Sequence, residues 1–312
     1  VADVSFFVEP RSDHVNLGVE YNGTVVTNHT AELILNRFDA ALKAAVLDQA
    51  LPIGDLPNPP ISAQRGPALD DHELFLSKLL RNTNTAGGHA AVQVGTAVLT
   101  WKQLGARASQ VATALATAGV EKGDRVAVQV ERSPELAIAI VGIMLAGASY
   151  VPVDPTYPAE RITTTIDLSG ARHKVVTATS CETTPATDAP SDRSSSEAVD
   201  ELIITPDRCG NEPWNDDEPV RVVHELDATD EAYVIFTSGS TGQANGVAIS
   251  HAQLAASTNA RSVFYEEPPS RFLMLSSIAF DSSIVGLFWS MAVAGTLVLP
   301  SEDIVHDIDR LG

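Results

Sequence analysis

The run Thr237-Ser238-Gly239-Ser240-Thr241-Gly242 follows directly on the apolar stretch Ala232-Tyr233-Val234-Ile235-Phe236. Its hydroxyl side chains can donate to an anion, and its glycines permit the sharp dihedrals with which successive backbone N–H groups converge on oxygen. The chemistry this predicts is the holding of a nucleotide triphosphate. It is not the common P-loop, because Gln243-Ala244-Asn245-Gly246-Val247 stands where Gly-Lys-Ser/Thr would follow. Ser/Thr/Gly clusters are usually plain turns. This one is clamped between the strand-like run before it and a second apolar run, Val247-Ala248-Ile249, where a solvated linker has no reason to be.

A second candidate lies downstream at Phe280-Asp281-Ser282-Ser283. By residue type alone, Asp281 suits the N-cap of a helix over Asp281 to Val293.

Taken in order, YVIFTSGSTG followed by Gly246-Val247 closely resembles the signature of the adenylate-forming enzymes, and more narrowly that of the adenylation domains of nonribosomal peptide synthetases. Leu99 to Leu104 is similar to that family's first core motif and Met144 to Asp154 to its second. Phe280 to Ser283, followed by Phe288, is similar to its fourth, which lines the amino-acid pocket. The resemblance spans roughly Asp71 to the C-terminus, and the continuation Pro155 to Ile162 sets it toward peptide synthetases over acyl-CoA ligases.

The resemblance implies ATP and Mg²⁺, with Thr237, Ser238, Gly239, Ser240, Thr241 and Gly242 on the phosphates. It implies that Asp281 pairs with a substrate α-ammonium group, with Phe280, Ser282 and Val285 beside it. The activity implied is activation of an amino acid as its adenylate and transfer to the phosphopantetheine thiol of a peptidyl carrier domain, next to a condensation domain. An acyl- or aryl-CoA ligase, or a non-catalytic nucleotide-binding remnant, are the alternatives. Two departures stand out. Ala244-Asn245-Gly246 replaces the usual Pro-Lys-Gly, and Asn245 supplies no cation. The family's later motifs, including the adenylate-contacting lysine, fall beyond Gly312, so no catalytic residue and no full turnover are expected of this chain alone. Its start at Val1 likewise suggests a fragment.

Helix and strand patterns alternate around these motifs. Thr100-x-x-Gln103 and Ser250-x-x-Gln253 have the form of capping boxes, and Ser133-Pro134 supplies an N-cap and an N1 proline for an apolar helix from Glu135 to Ala146. Strands are expected at 125–130, 150–153, 174–177, 233–236, 246–249, 272–276 and 296–299. The fold class expected is α/β, with parallel sheets and helices on both faces. Residues 1–50 read separately, as two strands, a turn at Asn22-Gly23 with a possible return over 24–26, and a helix from Ala31 to Val46. They resemble the end of a condensation domain, or form an unrelated hairpin and helix. Five prolines between Leu51 and Leu69 predict a semi-rigid linker over 51–70, leaving 71–312 as the second domain, opened by a helix from about Asp71 to Leu80.

The net charge of −20 argues against a nucleic-acid surface. No apolar run reaches the ~18 residues of a membrane span, and cytoplasmic placement is the expectation. From Cys181 to Glu231 fifteen acidic residues stand against three arginines, which predicts a solvated surface excursion. The two cysteines and eight histidines show no metal-ligand spacing.

Overall fold

Every residue from Glu135 to Leu145 is buried, and the layers of the larger part of the chain are arranged around that helix. The computed structural model describes residues 4–11, 15–21, 27–48, 50, 73–179, 199–238, 244–265 and 267–300. The chain divides into two units, Val1–Ala68 and Leu69–Gly312. In the first, β1 (Val4–Pro10) and β2 (Val15–Tyr21) pair antiparallel. Helix α1 (Asn28–Leu47) follows, begun where the Thr27 hydroxyl accepts from the Thr30 N–H at 3.2 Å. The expected turn at Asn22-Gly23, the return over 24–26 and the proline-rich linker lie outside the described residues.

The second unit runs through α2 (Phe75–Thr85), β3 (Ala90–Val94), β4 (Ala97–Thr100), α3 (Trp101–Thr117), β5 (Arg125–Gln129), α4 (Pro134–Leu145), β6 (Ser149–Pro152), α5 (Ala159–Ser169) and β7 (His173–Thr177). Thr100 and Gln103 form the expected capping box of α3. Ser133 occupies the N-cap position of α4, but its hydroxyl makes no cap hydrogen bond. The preset φ of Pro134, and not the serine side chain, favours the start of this helix. Gly147 closes it with φ 81°.

Beyond lie β8 (Asp200–Ile204), β9 (Arg208–Cys209), β10 (Glu212–Pro213), β11 (Glu231–Ser238), β12 (Ala244–Ser250), α6 (His251–Phe264), β13 (Arg271–Leu273) and β14 (Thr296–Leu299). One sheet has the order β10-β9-β8-β7-β5-β6-β11-β12 and a second β13-β14-β3-β4. Strands β8, β7, β5, β6 and β11 are mutually parallel, as are β13, β14 and β3. The sheets are parallel through their middle as expected and antiparallel at the edges, where β12, β9 and β4 pair. The reason is chain length: five residues separate β11 from β12, and a parallel crossover needs a dozen or more.

Helices do cover both faces. Val126 and Val128 of β5 join the main core with α3 and α4, while Ala127 between them joins a smaller cluster with Ile162 and Ile166 of α5. Gly142 lets α4 approach α3, because a Cβ there would sit 2.6 Å from Val111 Cβ and 2.9 Å from the Ala108 carbonyl.

The acidic stretch does more than the solvated excursion expected of it. Its described part, 199–230, adds β8 to the central sheet and then crosses α3 and α4, with the Val223 N–H bonded to the Leu145 carbonyl at 2.9 Å. Its carboxylates close on the bases of the βαβ unit: Asp216 with Arg107 at 2.7 Å, Asp230 with Lys122 at 3.0 Å and Glu231 with Arg125 at 2.8 Å. Composition suggested solvation, but these acids are counter-charges.

Two predictions follow from this packing. Gly142→Ala should lower the unfolding free energy by up to about 2 kcal/mol in urea titrations, because overpacking costs about 1–3 kcal/mol against roughly 1 gained in helix propensity. The Arg107 bonds hold the Asp216 carboxyl below its ordinary 3.8. Burial pushes Glu231 up, but its bonds from Arg125 and Ser149 outweigh this and leave it below 4.5. Both carboxylates therefore stabilise the fold above these values, and that contribution is lost as pH falls through the lower folded-state ones. An acid titration of stability should decline from about pH 4.5 downward, and less steeply in Glu231→Gln.

Candidate functional site

Strand β11 is buried from Ala232 to Ile235 and emerges at Thr237, so its core half fixes where the hydroxyl-rich run begins. It lies parallel to β6 with Tyr233 opposite Tyr150, and antiparallel to β12 with Thr237 opposite Asn245 and Ser238 opposite Ala244. The Thr237 hydroxyl is exposed and donates to the Asn245 carbonyl at 3.4 Å. Gly239, Ser240, Thr241 and Gly242 lie outside the described residues.

Two cavities meet at Thr237. One, of about 400 Å³, lies between the first turns of α5 and the facing ends of β11 and β12. The other, of about 500 Å³, lies between β11, α6 and the segment 279–284, and Tyr233, Arg261, Phe280 and Asp281 line it. Arg161, Phe236, Thr237 and Ala279 border both. Phe280 and Asp281 thus share a cavity with Thr237. Ser282 and Val285 do not line it: the Ser282 hydroxyl donates to Ser276 Oγ at 2.9 Å, Val285 is half-buried, and Ile284 takes the place at the wall.

Asp281 is exposed, and its carboxylate makes no hydrogen bond or ion pair among the described residues. As an N-cap it is therefore idle. Only its carbonyl takes part, accepting from the Ile284 N–H at 3.0 Å. The expected helix begins at Ser283 and widens into a π turn over Val285–Trp289 before the short α segment Ser290–Ala292. Burial, and secondarily the Asp281 charge, push the Tyr233 phenol up. Burial pushes the Arg261 guanidinium down.

Two positioning residues escaped the sequence reading. Asp154, the last residue of the second motif, accepts from the Ser277 hydroxyl and from the Thr156 N–H at 2.9 Å, so it ties the cavity-lining turn to the βαβ unit. Arg132 donates to the carbonyls of Met274 and Leu275 at 3.0 and 2.6 Å. Asp154 lay within a quoted motif; Arg132 carried no signal, because its partners are backbone atoms 142 and 143 residues away. His251 opens α6 inside a Ser250–Gln253 capping box and is fully buried. Burial pushes its imidazole down, against the pull of Asp230. Among the described residues no group of three His, Cys, Asp or Glu side chains could hold a metal, and no helix is long and apolar enough to cross a membrane.

The Thr237 hydroxyl and the Asp281 carboxylate, a donor for an anion and a counter-charge for a cation, thus border the same cavity. Residues 79–311 match the family described as AMP-binding enzyme. The chain belongs to that family. It is 30% identical over 327 residues to tyrocidine synthase 3 of Brevibacillus parabrevis, covering 98% of this chain and 5% of that protein. It is 28% identical over 312 residues to surfactin synthase subunit 2 of Bacillus subtilis (strain 168), covering 96% and 8%. The chain therefore spans a small part of the curated relatives it matches. Among solved structures, it superposes with a TM-score of 0.67 at 24% identity on a four-domain nonribosomal peptide synthetase bound to AMP and glycine, covering 99% of this chain and 22% of that one. The N-terminal subdomain of Klebsiella oxytoca NpsA, in complex with 3-hydroxybenzoyl-AMSN, gives 0.55 at 24% identity over 73% and 53%. The shared fold is that of adenylate-forming enzymes, with mixed sheets and helices.

Tyr150 belongs to this AMP-binding fold as packing. It is fully buried, its ring lies 5.5 Å from Tyr233 and 6.2 Å from Phe288, and its hydroxyl has no hydrogen-bond partner among the described residues. Tyr150→Phe removes an unsatisfied polar atom. Thermal unfolding should show stability unchanged or raised by up to about 1 kcal/mol, and nucleotide binding should be unaltered.

Proposed function

We propose that the second unit is the nucleotide- and amino-acid-binding part of an adenylation domain in a nonribosomal peptide synthetase module. The whole enzyme would join an amino acid to AMP and pass it to the phosphopantetheine thiol of a carrier domain, in the cytoplasm. The first unit is read as the end of a condensation domain, with 51–70 as linker. The observation that carries the reading is the unpartnered Asp281 carboxylate facing the same cavity as Thr237. An acid lacking an amine would leave that carboxylate without a counter-charge, which favours an amino acid over the acyl or aryl acids of the sister ligases.

In this reading an ammonium group pairs with Asp281, and the substrate carboxylate is thereby held toward the strand ends. One carboxylate oxygen bonds to the α-phosphorus of ATP as the bond to pyrophosphate breaks. Later the thiol sulfur bonds to the acyl carbon and AMP leaves. Thr237, Ser238, Gly239, Ser240, Thr241 and Gly242 are the proposed phosphate contacts, and the exposed Thr237 hydroxyl at a cavity edge fits that role. Magnesium would be carried on the phosphate oxygens, whose charge it neutralises. Phe280 and Asp281 line the proposed substrate pocket, with Ser282 and Val285 behind them.

Amino-acid-dependent ATP–pyrophosphate exchange by the synthetase is the test. Asp281→Ala should reduce kcat/KM for the amino acid by roughly 10- to 100-fold, the loss of one charge-assisted bond. Unchanged exchange would remove Asp281 from the pocket.

A further inference from the structure

The charge on the triphosphate needs a counter-charge, and Asn245, opposite Thr237, has none to offer. The cavity between α5 and the ends of β11 and β12 has one basic side chain in its wall, Arg161. In a chain with forty acids and twenty bases, Arg81, Arg107 and Arg125 each hold a carboxylate. Arg161 holds none among the described residues. Its guanidinium carbon lies over the Tyr157 ring, 3.8 Å from the centroid. Tyr157 in turn packs against the Ile162 and Ile166 cluster, so the platform is anchored.

Stacking occupies the face of a guanidinium and leaves its N–H edge free, the geometry that meets two phosphate oxygens side by side. The adjacent Glu160 also borders the cavity, but consecutive helix residues point about 100° apart. We propose that Arg161, held by Tyr157, is a polyphosphate-binding residue of this site and supplies the cation that Asn245 does not. The inference rests on the reading of the site as a nucleotide site, and adds to it the residue that meets the anion.

Isothermal titration of the full chain with ATP, tripolyphosphate and adenosine separates the two. Arg161→Gln should weaken ATP and tripolyphosphate roughly tenfold or more while leaving adenosine unchanged. Arg161→Lys, which keeps charge but not the fork, should fall between. Because Arg161 is exposed, the melting temperature should stay put and serves as the control for folding. Equal ATP affinity in native chain and Arg161→Gln overturns the assignment and leaves the nucleotide site standing. A native chain that binds neither ATP nor tripolyphosphate overturns both.

Discussion

The aromatic contact between Tyr150 and Tyr233 is the joint on which the second unit depends. It sits where β6 and β11 pair in parallel, across 83 positions of sequence, and the Phe288 ring lies 6.4 Å from Tyr233 in stacked orientation. Phe75 of α2 meets Phe288 edge-on at 4.7 Å. Four elements therefore share one dry cluster: the first helix of the unit, the strand after α4, the strand before the hydroxyl-rich run, and the π turn beyond Asp281. Remove that cluster and Thr237 and Asp281 have no common frame. Aromatic pairs of this kind contribute about 0.5–1.5 kcal/mol each beyond their burial.

Around that joint, charge does the outer fastening. The stretch 199–230 lies across α3 and α4, and its carboxylates meet Lys102, Arg107 and Lys122, while Glu231 just beyond it meets Arg125. Exposed pairs such as Lys102–Asp217 contribute little, but the Arg125–Glu231 pair is joined by the Ser149 hydroxyl and couples β5, β6 and the start of β11. The strand that presents Thr237 is therefore held at its N-terminal end by a network and in its middle by rings. Its C-terminal end carries Thr237 to the cavity edge, where α/β sheets commonly place ligands.

The site itself is assembled from pieces that share no local signal. Asp154 and Arg132 bring the 274–281 segment against the βαβ unit, and a side chain at 286 would press on Met274 at 2.9 Å, so Gly286 is needed for the π turn to approach. A π turn carries a residue more than an α turn and is frequent at functional sites. Here it begins four residues after Asp281, whose carboxylate faces the cavity instead of capping the helix.

Local pattern was enough for much of this protein. The two capping boxes, the Pro134 helix start, the Gly147 stop and the strand at Thr296–Leu299 depend on neighbours a few residues apart, and the sequence alone determined them. The motif order likewise pointed to Thr237, Phe280 and Asp281, which the fold brings to one cavity. Strand direction at the sheet edges, the recruitment of β8 from an acidic, polar stretch and the true partners of those acids were decided by the tertiary structure. So were the retreat of Ser282 and Val285 from the cavity and the stacking of Arg161 on Tyr157. The physical reason is the same in each case. Hydrogen bonds within a turn of helix are encoded by spacing, whereas a buried strand, a counter-charge or a free guanidinium is defined by what another part of the chain places beside it.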